Sequence, residues 1–167
     1  GEMVKWLESP FTPTKDPYKR VYSFYQPKGV YAVITPWNYP YMVPTEFIAP
    51  GLAAGNTMVW VPAPTTSLCA VKLAECFEEA EVPAGVINLV TGMGNVVGDE
   101  IVANPQTDAI AFCGSTATGK TIAERGAGKP LLLELGGNGP TIVLKDAELD
   151  HAIPSIANAC FYNAGQI

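Results

Sequence analysis

The stretch AFCGSTATGKTIAE, residues 111–124, reads as the end of an apolar strand, a glycine turn and the start of a helix. Within it Gly114, Gly119, Lys120 and Thr121 show the spacing G-x-x-x-x-G-K-T. In nucleoside triphosphatases that spacing makes a loop whose N–H groups wrap the phosphates, whose Lys reaches the outer ones and whose hydroxyl holds magnesium. The local setting suits this reading, because AIAFC (109–113) is strand-like and TIAERGAG is helix-like. The position does not suit it. Such a loop normally follows an early strand of its domain, whereas most of the 167 residues lie before Thr121. The carboxylate that would hold magnesium should close an apolar strand, and Asp146 is set apart from TIVL by Lys145. A triphosphatase is therefore the weaker reading. A glycine turn that aims a helix N-terminus at an anion survives either way.

Outward from this stretch, apolar runs rich in β-branched residues alternate with segments of helical periodicity, the pattern of βαβ units. The strands are expected at VYSFY (21–25), VYAVIT (30–35), TMVWV (57–61), VINLV (86–90), AIAFC (109–113), LLLEL (131–135) and TIVLK (141–145). Helices are expected at 43–54, 66–80, 95–103, 116–126 and 148–163. In the second helix, Leu68, Val71, Ala74 and Phe77 recur at three-residue steps and predict an apolar stripe. The later strands are apolar throughout, as when helices cover both faces of a sheet. The fold class is α/β: an open, doubly wound, mostly parallel sheet, reached through an extended or linker segment over residues 1–20. Such sheets bind ligands beyond the carboxyl ends of their strands.

Composition narrows the partners. A hydrophobic content of 48% with 16% charged residues supports a globular core and excludes disorder. A formal charge of −6 repels polyanions, so no nucleic acid is expected as a partner. No apolar run is long enough to span a membrane, and the opening GEMVKWLESP lacks the layout of a secretion signal, so a cytoplasmic location is expected. Cys69, Cys76, Cys113 and Cys160 occur singly, and His151 is the sole histidine, so no metal site is expected. Cys69 and Cys76, seven apart in a helix, should share a face as small hydrophobes.

Three further stretches carry chemistry. ITPWNYP (34–40) ends a strand between two prolines, which fix the turn and present the Asn38 amide at the sheet edge. LLLELGGNGP (131–140) sets Glu134 at the end of an apolar strand, where desolvation would raise its pKa and suit it to be a general base. FYNAGQI (161–167) closes the chain. Together with FCGSTATG these stretches resemble the aldehyde dehydrogenase superfamily. Its ordered landmarks are a P-W-N turn, an F-x-G-S turn, an E-L-G-G segment and a G-Q-x-C loop, and the resemblance covers about residues 20–167.

The resemblance implies NAD or NADP as cofactor and oxidation of a small aldehyde through a Cys thioester. It implies that Asn38 helps hold the oxyanion and that Glu134 is the general base. It implies that Gly114 and Ser115 face the pyrophosphate, and that Ile34, Thr35, Pro36 and Trp37 wall the dinucleotide over residues 21–167, the dinucleotide-binding domain. Adenine would lie against Gly94 and Gly98, with the nicotinamide near Leu135 and Gly136. The family's nucleophile would fall immediately after Ile167, where the chain ends, so the chain is expected to be inactive alone. The family's K-P-[SA]-E segment is replaced by Val61, Pro62, Ala63 and Pro64, which removes the Lys and the acid that hold the adenosine ribose. That puts affinity in doubt and leaves NAD against NADP open. A homo-oligomer is expected, since a partial α/β unit leaves apolar surface. The competing reading from another class is a non-catalytic interaction or oligomerisation module.

Overall fold

The computed structural model describes residues 11–12 and 14–166. Two short strands, β1 (Phe11–Thr12) and β2 (Val21–Tyr22), form an antiparallel pair of their own. The main sheet holds β3 (Val30–Thr35), β4 (Thr57–Pro62), β5 (Ile87–Leu89), β6 (Ala109–Gly114) and β7 (Leu131–Leu135), all parallel, in the order β5-β4-β3-β6-β7. Five expected strands are thus present, each within a residue or so of its predicted bounds. The other two are not sheet strands. VYSFY forms only β2 and leaves Val21, Tyr22, Phe24 and Tyr25 exposed, because β3, the strand it precedes, already has β4 and β6 as neighbours. TIVLK is irregular, with Ile142, Val143 and Leu144 exposed. An apolar run becomes a strand only where another backbone pairs with it, and among the described residues none pairs with this one.

The helices are α1 (Met42–Ala53), α2 (Ser67–Glu79), α3 (Asp99–Ala103), α4 (Thr116–Arg125) and α5 (Leu149–Phe161). A π-helical turn, Gly94–Gly98, leads into α3, and a 3₁₀ turn, Pro64–Thr66, leads into α2. Strand alternation splits the core in two. Val33, Met58, Trp60 and Ala111 pack with Val43, Phe47 and Ile48 of α1 and Ala70 of α2. Ala32, Ile110 and Phe112 pack on the opposite face with Val102 of α3 and Ile122 of α4. The sheet is therefore wound on both sides. Trp60 is fully buried, and its indole N–H donates to the Thr35 hydroxyl at 2.9 Å, so neither polar group is stranded in the core.

The chain falls into two compact units divided between Leu135 and Gly136. The first contains the sheet. The second has no regular structure before α5, which is followed by a 3₁₀ turn, Tyr162–Gly165.

The stripe expected on α2 is corrected. Leu68 is 72% exposed and Val71 lies at the surface, whereas Ala70, Leu73 and Phe77 meet the core. A helix has 3.6 residues per turn, so positions taken strictly in threes fan around the cylinder, while 70, 73 and 77 stay on one side. Cys69 is half-buried and Cys76 exposed, so the second is not the small core hydrophobe expected.

The end of α2 is a Schellman motif: the Val82 N–H donates to the Phe77 carbonyl at 3.1 Å and the Glu81 N–H to the Glu78 carbonyl at 2.9 Å. It forces Glu81 to φ 58°, a left-handed conformation that costs an L-residue about 1–2 kcal/mol. Replacing Glu81 with Gly is expected to stabilise the domain by about 1 kcal/mol, seen as a rise in thermal midpoint. An unchanged or lower midpoint would show that the turn is not the strained element.

Candidate functional site

Because the five strands are parallel, their carboxyl ends share one rim. The crossovers through α1 and α4 leave β3 and β6 on opposite faces of the sheet, so the rim opens a crevice between these two adjacent strands. Register fixes what stands along it. Ile34 pairs with Phe112, and Cys113 with Glu134. Hence residues 36–38 after β3, Gly114 and Ser115 at the end of β6, and Glu134 and Leu135 at the end of β7 all lie on the same edge.

On the α3/α4 face a groove of about 530 Å³ runs between the two helices. Ile34 and Phe112 of the sheet, Gly94, Asn95 and Gly98 of the π turn, and Thr118 and Thr121 of α4 line it. Of the candidate residues, the groove therefore gathers Ile34, Gly94 and Gly98. Thr35 is turned the other way: it is buried on the α1/α2 face, bonded to Trp60, because adjacent strand residues face opposite sides. Only its backbone reaches the rim. Pro36 is half-buried and Trp37 is 53% exposed. Asn38 is half-buried. Gly136 opens the second unit.

The glycines of the opening stretch have steric reasons. A Cβ on Gly114 would lie 2.5 Å from Cζ of Phe112, and one on Gly119 would lie 2.5 Å from Cδ2 of Leu135. Gly119 is thus where α4 comes down onto β7. Ser115 caps α4, its Oγ accepting the Thr118 N–H at 3.2 Å. Helix begins at Thr116, so residues between the two glycines do not form a loop able to wrap a triphosphate. Gly94 differs: a Cβ there would meet nothing within 4 Å.

Glu134 is exposed, so the burial expected at the end of an apolar strand is absent. Cys113 beside it is half-buried, and burial together with the negative charges of Glu134 and Glu46 pushes its thiol above the usual range. It stays protonated and is a poor nucleophile. Among the described residues, no group of His, Cys, Asp and Glu is placed to hold a metal.

One pair escaped the sequence reading. Arg125 grips Asp99 with two bonds of 2.7 Å, Nε to Oδ1 and a terminal nitrogen to Oδ2, tying α4 to α3 across the groove. The residues are 26 positions apart on different helices, so no local spacing announces them. The Arg125 guanidinium holds the Asp99 carboxyl below its usual 3.8. Lys129 adds a second tie, donating to the carbonyls of Val102 and Asn104 at 2.6 Å each, at the end of α3.

Two outcomes follow from this geometry. Gly119→Val should drive a side chain into Leu135 and cost about 1–3 kcal/mol in chemical denaturation, as overpacking does; unaltered stability would mean that α4 and β7 are not in close contact. A carboxyl with a lowered folded pKa contributes stability above its unfolded value and loses it as pH falls through the folded one. Wild type should therefore melt above Asp99→Asn at neutral pH, with the difference shrinking to nothing below the ordinary carboxylate range. A pH-independent difference would assign the effect to packing instead of charge.

Comparison with known proteins places this geometry. The whole chain, residues 1–167, matches the aldehyde dehydrogenase family. A betaine aldehyde dehydrogenase of Bacillus subtilis is 49% identical over 144 residues, 85% of this chain and 29% of that protein. Among solved structures, an NADP-dependent enzyme of E. coli superposes with a TM-score of 0.93 at 44% identity, over 99% of this chain and 35% of the other. An NAD-dependent aldehyde dehydrogenase of Sinorhizobium meliloti does so with a TM-score of 0.94 at 37% identity, over 99% of this chain and 34% of the other. The chain thus spans about a third of the length of these relatives. It belongs to the aldehyde dehydrogenase family.

Proposed function

We propose that this chain is the dinucleotide-binding portion of an NAD(P)-dependent aldehyde dehydrogenase. The observation that carries the reading is the groove between α3 and α4, which opens beside the crevice of β3 and β6 and has glycines at its mouth. Its volume of about 530 Å³ suits one nucleoside half of a dinucleotide, within the roughly 300–1,000 Å³ usual for ligand pockets.

In this assignment the adenosine lies against Gly94, Gly98 and Ile34. The capped N-terminus of α4 at Ser115 presents its partial positive charge to the pyrophosphate. Pro36 and Trp37 form the rim between the halves, and the nicotinamide end extends toward Leu135. The cofactor supplies the hydride acceptor. Asn38 donates its amide to the oxygen that becomes negative during attack on the aldehyde, where one fixed donor is worth about 3–4 kcal/mol. Glu134 takes the proton of the hydrolytic water. Aldehyde oxidation is assigned to the complete enzyme, of which this chain spans about a third of the relatives' length. The free thiols agree with a reducing, cytoplasmic compartment. Among the described residues, no helix is long and apolar enough to cross a membrane.

Calorimetry with NAD and with NADP tests the reading. Binding of at least one is expected, and Gly94→Phe should weaken it tenfold or more without lowering the melting temperature, because position 94 faces open space at the mouth of the groove. Undiminished binding in that variant would place the cofactor elsewhere. The edge strand β7 leaves Leu131 and Leu132 exposed, which favours self-association as well. Light scattering behind size exclusion should show a species larger than 17.7 kDa; a strict monomer would count against it.

A further inference from the structure

One face of α2 carries a cluster of reactive side chains that neither the groove nor the rim uses. Cys69, Lys72 and Cys76 are three and four residues apart, so they form one stripe along the helix, beside the side that Ala70, Leu73 and Phe77 turn to the core. Tyr41, at the start of α1, closes the stripe at one end, its hydroxyl donating to the Cys69 sulfur. Lys72 stands in the middle. Its ammonium meets the Glu75 carboxylate at 2.6 Å and lies within electrostatic reach of the Cys76 thiol.

The two thiols differ in access, and they are not a disulfide pair. Seven residues of helix set their Cα atoms about 10 Å apart, beyond the roughly 7 Å that a disulfide spans. Cys69 is half-buried under Tyr41, whereas Cys76 is exposed and the Lys72 side chain is 61% exposed. Cys76 and Lys72 are thus an accessible thiol and an accessible amine one helical turn apart, with Cβ atoms about 5–6 Å from each other. A reagent that joins them needs two electrophilic carbons close together. An α,β-unsaturated aldehyde has both, a β carbon that thiols attack and a carbonyl carbon that amines attack, and it would leave a bridge of its own short chain between sulfur and nitrogen.

We propose that Cys76 and Lys72 form a covalent capture site for α,β-unsaturated aldehydes. The inference does not rest on the dinucleotide reading of the groove. In the first step the Cys76 sulfur bonds to the β carbon, the carbon–carbon double bond is consumed, and the thiol proton ends on the α carbon. In the second the Lys72 nitrogen bonds to the carbonyl carbon, whose oxygen leaves as water with both amine hydrogens. No oxidant or reductant is used, and the closed adduct weighs the aldehyde less one water. The order follows from charge. The hydrogen bond and the negative charge of Glu75 raise the Lys72 pKa above the usual 10.5, so the amine gives up its proton reluctantly and the thiol reacts first. Once the aldehyde is tethered at Cys76, the amine's step is intramolecular. Cys160 supplies the contrast within the same chain, an exposed thiol with no basic residue three or four positions away.

The experiment treats the 167-residue chain with acrolein, the smallest such aldehyde. Intact mass is read before borohydride reduction, and peptide maps after it. A link between residues 72 and 76 is expected, with the mass of the aldehyde less one water, while Cys160 gains the whole aldehyde and no link. Cys76→Ser should lower capture at Lys72 by about tenfold or more, to the level of Lys120, whose own helix brings it no thiol. Lys72→Gln should leave an unclosed aldehyde on Cys76, and Glu75→Gln should close the adduct faster. These side chains lie at the surface, so melting temperatures should stay near that of wild type. An unclosed aldehyde on wild-type Cys76, like that on Cys160, overturns the proposal. So does undiminished capture at Lys72 in Cys76→Ser, or a link formed through Cys69 instead.

Discussion

The parallel pairing of β3 with β6 is the constraint on which the rest depends. These strands are separated by nearly eighty residues, as Asp108 and Val30 show by exchanging bonds across the start of the pair, N–H to carbonyl at 2.9 Å and N–H to carboxylate at 2.8 Å. Closing so long a connection costs entropy that only burial repays. The pair supplies it: Ala32, Val33, Ile110 and Ala111 are essentially inaccessible. Once β3 is flanked by β4 on one side and β6 on the other, the chain must wind outward in both directions, and its helices must leave on opposite faces. The crevice at the carboxyl rim is the geometric remainder of that reversal. Without it there would be a sheet but no place for a ligand to enter between divergent loops.

The groove owes its form to a second set of choices. Phe112 forms part of its lining, and its ring fills the space that a side chain on Gly114 would take. α3 is a short helix, and by itself it would be marginal. It is held by the preceding π turn, by Val102 buried beneath it, by Lys129 at its last carbonyls and by Arg125 at its first turn. Two of these four supports come from the neighbourhood of α4 rather than from α3. The spacing between the two helices is therefore set from one side, and one of these contacts pairs the ionisable residues, Asp99 and Arg125, found among the described residues lining the groove.

What the sequence disclosed follows the strength of each physical signal. Strands buried on both faces, such as 109–113, are continuous apolar runs and were legible within a residue. TIVLK has the same composition and is not a strand, because composition does not say whether a partner is present. The side of α2 that meets the core follows from helical periodicity, and the opposite facing of Ile34 and Thr35 follows from strand alternation, so both are recoverable from sequence. The Asp99–Arg125 tie was not recoverable, since its partners meet only after α3 and α4 dock. The phosphate-loop spacing was the opposite case, a strong local pattern without its structure. Gly114 is there for Phe112 and Gly119 for Leu135, so two packing requirements generate the letters of an unrelated motif.

Glu134 shows how far the local fold goes toward chemistry. Its place at the end of β7 is fixed by pairing with Cys113, and that placement is all the sheet provides. The carboxylate is exposed. A carboxylate works as a general base at neutral pH when it is under cover, where loss of solvation penalises the charged form. Position and reactivity are thus separate requirements: the register of β6 and β7 sets where Glu134 stands, and the proposed role of base needs a cover that the sheet itself does not provide.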